Sequence, residues 1–174
     1  MIWLADVDHR LSLALHAVTR GNEALHTGAV VFARWVFWIL LAVLLGVVYL
    51  NHEPLFVTEL AKVLMLSIVF GFVLNLWLGK IFVRKRPFVT HRLHALIPTT
   101  WLGTSFPSDH AMLSFAIAVP LYGVDPRVGA WALVVAGAIG LSRVLVGVHY
   151  LSDVLVGSAV GIGAAMLAMF FVIY

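Results

Sequence analysis

A chain of 174 residues that is 63% hydrophobic and only 11% charged, with a mean hydropathy of +1.05, is no soluble globule, since such domains carry about a quarter charged residues. It reads as an integral membrane protein of one domain, 1–174, and at about 20 apolar residues per crossing about five crossings fit. Cysteine is absent, which excludes disulfides and thiolate metal sites.

Residues 1–27 mix apolar Leu4, Val7, Leu11, Leu13, Leu15 and Val18 with Asp6, Asp8, His9, Arg10 and His16. That pattern suits a helix lying along the membrane interface, or else a first crossing that would make six. Asp6 and Asp8 stand where a secretory leader would be basic, so no signal peptide is expected. Apolar runs follow at 29–50, 55–78, 111–122, 128–148 and 151–174. Turns are expected at Asn51, His52, Glu53 and Pro54 and at Val124, Asp125, Pro126 and Arg127. The third run is short, but spans if its helix begins near Pro107. The expected fold is therefore all-α, a polytopic bundle of five to six transmembrane helices. Gly157, Gly161 and Gly163 read as close-packing positions, Glu59 and Lys62 as a helix pair, Pro120 as a bend and Asn75 as a bond to a neighbouring helix.

The polar residues gather at particular helix ends. The second long run leads into GKIFVRKRPF, with Lys80, Arg84, Lys85 and Arg86; the third begins at SFPSDHA; the fourth ends in LSRVLVGVH; the fifth begins at HYLSD. Successive crossings alternate direction, so these ends share one side of the membrane, and ionisable groups there mark a site. His149 and Asp153, four apart, would share a helix face, the carboxylate holding one ring nitrogen and leaving the other electron-rich. Arg86 and Arg143 offer forks for a phosphate. A helix start near Ser108 adds unpaired amides and a positive dipole end, and His110 is placed to protonate a leaving group. These parts describe phosphoryl transfer by a histidine nucleophile without metal or other cofactor.

The same residues resemble the type 2 phosphatidic acid phosphatase superfamily, and the site is similar to that of the vanadium haloperoxidases. The family pattern of Ser-Arg, five residues, His, three residues, Asp is met by Ser142, Arg143, His149 and Asp153. Its Pro-Ser-Gly-His appears as Pro107, Ser108, Asp109, His110, with aspartate in place of glycine. Its lysine, six residues, Arg-Pro appears as Arg86-Pro87, but Gly79 holds the lysine position and Lys80 comes one place late. The motifs cover 79–153. The resemblance implies that His149 attacks phosphorus to give a phosphohistidine, Asp153 orients it and His110 protonates the departing oxygen. Arg86, Arg143 and Ser108 would hold the phosphoryl oxygens, with Lys80 or Lys85 assisting. Asp109 would repel a phosphate unless turned away, so it is expected to cap or to pair with a base.

Asp109 and the flanking RPFVTHRLHALIP look like the undecaprenyl diphosphate phosphatase branch, which implies hydrolysis of undecaprenyl diphosphate to undecaprenyl phosphate at the outer face of a bacterial plasma membrane. Relatives acting on lipid A or phosphatidylglycerol phosphate share the motif. The expected partners are a lipid phosphate or diphosphate and the bilayer, with no nucleic acid and no obligate protein. Arg84, Lys85 and Arg92 are alternatively anchors for anionic headgroups. His91 and His94 lack an acidic or cysteine partner and read as loop residues rather than metal ligands. A transporter or lipid-binding bundle is the rival class, but a path through the bundle needs polar groups along it, and Asn75 stands nearly alone there. By the positive-inside rule Lys80, Arg84, Lys85, Arg86 and Arg92 point to the cytoplasm, yet phosphate ligands are poor topological signals.

Overall fold

The computed structural model describes residues 2–50, 53–91, 95–97 and 103–173, without the side chains of 2–5, 20 and 173. Asn51, His52, Arg92 and His94 lie outside the described residues. Every regular element among the described residues is helical. Helix α1 (Ile2–Arg20) is followed by α2 (Glu23–Val31), which Asn22 caps through a bond from the Leu25 amide. A π-helical turn (Phe32–Val36) carries α2 into α3 (Phe37–Leu50) as one rod. Helix α4 (Pro54–Ile81) has proline at its first turn, where no partner for the missing N–H exists. After the short α5 (Pro87–Thr90) come α6 (Asp109–Val124), α7 (Pro126–Leu145) and α8 (Leu151–Ile173). Between α6 and α7, the Asp125 carboxylate accepts from the amides of Arg127 and Val128.

Among the described residues four helices are long and apolar enough to cross a membrane: Glu23–Leu50, Pro54–Ile81, Pro126–Leu145 and Leu151–Val172. The fifth expected crossing, α6, is 16 residues long and packs against α4, α7 and α8. Ala111, Met112, Ala116, Ala118 and Leu121 are all fully buried in it, so α6 is the interior helix of the bundle. Helix α1 is not among the spans. It packs on α2, α7 and α8 and buries the polar residues Ser12, His16 and Thr19.

Lipid tails are as apolar as leucine, so a membrane bundle is held by close packing and polar links rather than by hydrophobic burial. Gly157 and Gly161 of α8 supply the packing, because a methyl on either would strike the backbone of α6 at Ser108 or Met112. Gly163, expected to do the same, faces open space. Asn75 supplies a polar link: its Nδ2 donates to Asp109 on α6 at 2.6 Å, a bond of about 1 kcal/mol in such a setting. Lys62 and Glu59 pair at 2.8 Å as expected. The outer surface carries Trp38, Trp77, Trp131, Phe170 and Phe171. A cavity of about 410 Å³ between Leu55, Phe56, Pro120 and Met169 lies at the end of the bundle away from the polar cluster and is apolar apart from Glu59.

Candidate active site

The expected helix of 128–148 stops at Leu145, and the stop is what presents His149. The Gly147 amide donates to the Val144 carbonyl at 2.9 Å and the Val148 amide to that of Arg143 at 3.1 Å, while Gly147 sits at φ +79°. This bond pair closes a helix around one left-handed residue, which only glycine adopts without strain. The turn buries Val146 and Val148 completely, and His149 follows them, two residues ahead of α8.

His149 and Asp153 therefore do not share a helix, which corrects the helical reading of their spacing, although the two side chains still face each other. Nδ1 of His149 lies 2.7 Å from the carbonyl oxygen of Ser105 and 3.6 Å from Oδ2 of Asp153. A carbonyl only accepts, so Nδ1 carries the ring proton. On the other side Nη1 of Arg86 lies 3.3 Å from Nε2, and a guanidinium only donates, so Nε2 holds the lone pair. Both ends of the ring specify one tautomer, with a nucleophilic Nε2 beside a cation. Burial pushes the ring below the ordinary histidine range; Asp153 opposes this shift and Arg86 adds to it.

Asp153 is fully buried, and a carboxylate there costs several kcal/mol unless donors surround it. Its Oδ2 accepts from the Ser105 hydroxyl at 2.5 Å and the Tyr150 amide at 2.8 Å. Its Oδ1 accepts from Nη1 of Arg84 at 2.8 Å. Asp153 thus bears on His149 through Ser105, which offers its hydroxyl to the carboxylate and its carbonyl to the ring. Arg84, which the sequence left open as a headgroup anchor, is committed to Asp153, Ser152 and Asp8.

One guanidinium, that of Arg86, meets the ring, and a second, that of Arg143, lies within electrostatic reach of it. Arg86 also donates to the Val148 carbonyl at 3.4 Å, and Arg143 donates through Nη1 to the Ala33 carbonyl in the π-helical turn at 2.6 Å. Nε of Arg86 and Nε of Arg143 are buried without a partner among the described residues. Buried donors are nearly always paired, and such an exception in a polar cluster is what an anion would satisfy. Ser142, the neighbour of Arg143 in the motif, bonds back to Ile139 within its own helix.

Ser108 is the cap of α6, its hydroxyl accepting from the Ala111 amide at 3.4 Å. Its own amide donates to the Asp153 carbonyl at 3.0 Å, so the free donors at this helix start are those of Asp109 and His110, which have no partner within a helix. Asp109, expected to cap or to pair with a base, accepts from the Asn75 amide and sits in the first turn of α6, where its charge lies at the favourable end of the dipole. His110 is half-buried, edge-on to Phe37, and within electrostatic reach of Arg143, His149 and Arg86. Lys80 and Lys85 are exposed. Lys85 lines a cavity of about 240 Å³ with Arg84, Arg86, Phe88 and Thr104; Lys80 is not among the residues lining it. Among the described residues no three histidine or acidic side chains are grouped to hold a metal.

The residues that sequence reasoning missed are Ser105, Arg84 and Asp8. Ser105 stood inside the quoted SFPSDHA, but a serine's backbone carbonyl carries no signal in a sequence.

A family model described as the PAP2 superfamily matches residues 60–174. Undecaprenyl-diphosphatase BcrC of Bacillus subtilis (strain 168) is 41% identical over 86 residues, 49% of this chain and 44% of that protein. Bacitracin transport permease protein BcrC of Bacillus licheniformis is 34% identical over 110 residues, 60% of this chain and 54% of that protein. The matches span about half the length of these curated relatives. The crystal structure of Aquifex aeolicus LpxE superposes with a TM-score of 0.73 at 27% identity, over 92% of this chain and 95% of that one. The first transmembrane PAP2 type phosphatidylglycerolphosphate phosphatase from Bacillus subtilis superposes with a TM-score of 0.52 at 25% identity, over 98% and 94%.

Proposed function

Because the chain belongs to the PAP2 superfamily, we propose that it is a membrane lipid phosphatase that converts undecaprenyl diphosphate to undecaprenyl phosphate through a phosphohistidine on His149. The observation that carries the reaction is the His149 tautomer: Nδ1–H is fixed on the Ser105 carbonyl and the unprotonated Nε2 faces Nη1 of Arg86. The substrate follows the relative named as an undecaprenyl-diphosphatase.

In the first step Nε2 forms a bond to the terminal phosphorus as the bridging P–O bond breaks, and His110 gives its proton to the departing lipid phosphate. Arg86, Arg143 and the amides of Asp109 and His110 hold the phosphoryl oxygens, whose charge rises in the transition state. In the second step water attacks phosphorus, His110 takes the water's proton, the N–P bond breaks, and inorganic phosphate leaves. Neither step uses a metal. Residues 1–174 act as one domain, with Lys85, beside Arg86 in the cavity lining, or Lys80 assisting the phosphate ligands.

A second reading of the same chemistry has as the substrate phosphatidylglycerol phosphate, for which one solved neighbour is named, or lipid A, whose phosphatases share the motif. Phosphate release from purified undecaprenyl diphosphate, lipid A and phosphatidylglycerol phosphate separates them: turnover is expected on the first, and release from the other two alone overturns the choice of substrate. No release from any of them, with transport of a lipid instead, favours the rival transporter. The site is assigned to the outer face of the bacterial plasma membrane. In a chain without cysteine, Thr90→Cys is expected to react with an impermeant maleimide in intact cells and Arg127→Cys is not; the reverse pattern places the site inside.

A further inference from the structure

We propose that Asp8 of α1 and Arg84 are positioning residues for His149, so that the N-terminal helix belongs to the catalytic apparatus; this rests on His149 being the nucleophile. Half-buried Asp8 and buried Ser12 and His16 fall four residues apart, one stripe of α1. That stripe meets the ends of the two helices on either side of the His149 turn. Asp8 Oδ1 accepts from the Ser152 amide and Ser12 Oγ from the Leu151 amide, each at 2.9 Å. These are first-turn donors of α8, which have no partner within their own helix. His16 Nδ1 donates to the Leu145 carbonyl, at the last turn of α7, at 2.8 Å. The turn carrying His149 is thereby held from behind at both its roots.

The same Asp8 reaches toward the reaction centre through Arg84. Asp8 Oδ2 accepts from Nη2 of Arg84 and from the Ser152 hydroxyl, each at 2.6 Å, while Nη1 of Arg84 donates to Asp153. The guanidinium lies 3.7 Å over the Tyr150 ring, and His9 stacks on that ring at 4.6 Å. Arg84 is thus fixed between two carboxylates and an aromatic face.

This matters because two acceptors compete for the His149 Nδ1 proton. The Ser105 carbonyl has it at 2.7 Å, and the Asp153 carboxylate waits at 3.6 Å. An ionised carboxylate is the stronger acceptor. Arg84 neutralises Asp153 and holds it in place, so the Nδ1 proton stays directed at the Ser105 carbonyl and Nε2 keeps its aim. The charged groups facing the ring are Arg86 and Asp153 in near contact, with Arg143 and His110 farther off.

The test measures the His149 ring pKa by nitrogen NMR of histidine-labelled protein in detergent, assigned by the signal lost in His149→Ala, together with kcat and KM on undecaprenyl diphosphate. In Arg84→Gln the unneutralised Asp153 favours the imidazolium, so the ring pKa is expected to rise by roughly one unit. With Nε2 off line, kcat is expected to fall roughly ten- to a hundredfold at little change in KM. Arg84→Lys keeps the charge and should restore the pKa. Asp8→Asn keeps the shape and the Ser152 contact but removes the carboxylate that shares Arg84 with Asp153; the ring pKa should then move slightly down, opposite to Arg84→Gln, with a smaller loss of kcat as Arg84 loses its rear anchor, and it carries the test if Arg84→Gln does not fold. An unmoved pKa in the folded variants overturns the proposal even if activity falls, because a merely structural role would give that result; a moved pKa with wild-type kcat also overturns it. If the wild type hydrolyses no lipid phosphate but the pKa still rises, the function reading fails while the hold on the ring stands.

Discussion

Gly157→Ala perturbs the site from the opposite side of its wall. The new methyl would lie 2.5 Å from the Ser108 carbonyl oxygen and 3.2 Å from the Ser108 nitrogen, where ordinary contact begins at 3.4 Å. Backbone cannot swing away as a flexible side chain does, so α6 and α8 must part by about 0.9 Å. The Ser108 amide that donates to the Asp153 carbonyl at 3.0 Å moves with α6, and so do the amides of Asp109 and His110. Overpacking of this kind costs about 1–3 kcal/mol, and a misplacement near 1 Å lowers turnover by up to about a hundredfold. The expected result is a lower Tm and a kcat reduced about ten- to a hundredfold, read from initial phosphate release in detergent micelles. Gly163→Ala in the same helix meets nothing within 4 Å; it should keep wild-type kcat and gain up to about 1 kcal/mol from helix propensity. Wild-type turnover in Gly157→Ala would refute the contact as a determinant of the site.

Arg143→Lys keeps the charge but not the buried Nε–H, so activity should fall by about a hundredfold, the scale of losing one oxyanion donor; wild-type turnover would remove Arg143 as a phosphate ligand. Burial disfavours the His149 imidazolium, so the neutral nucleophile persists to below the ordinary value of about 6.5. The acid limb of a plot of log kcat/KM against pH, where His149 takes up its proton, should therefore lie below that value; an acid limb at or above 6.5 contradicts this. His110→Ala should lose about a hundredfold or more on a lipid diphosphate but far less on an activated aryl phosphate, whose leaving group needs no proton; equal losses on both count against the acid role.

The reach of the sequence was greatest where chain parity and motif spacing acted together. Alternation of crossings was enough to bring Arg86, Ser108, Arg143 and His149 to one end, and the structure joins Arg86 to His149 and Ser108 to Asp153 there. The four-residue spacing of His149 and Asp153 misled, because helical periodicity applies only inside a helix and Gly147 ends α7 before His149. The same glycine is legible in retrospect as a helix stop within an apolar run. Ser105 contributes mainly a backbone carbonyl, which every residue has, so no pattern could single it out. Asp8 and Arg84 are distant in sequence and looked like surface charges; only the packing of α1 across the α7–α8 junction gives them their partners. Asp109 found an amide rather than a base because Asn75 of α4 lies opposite the helix start.

The most direct test of the account is to trap the covalent intermediate. Undecaprenyl diphosphate labelled in its terminal phosphate is mixed with the protein and quenched within the first turnover, in excess chelator. The account requires an acid-labile, base-stable label on the wild type, none on His149→Ala together with abolished turnover, and a weakened label on Asp153→Asn. Full turnover in His149→Ala, or label that survives that substitution, would contradict it.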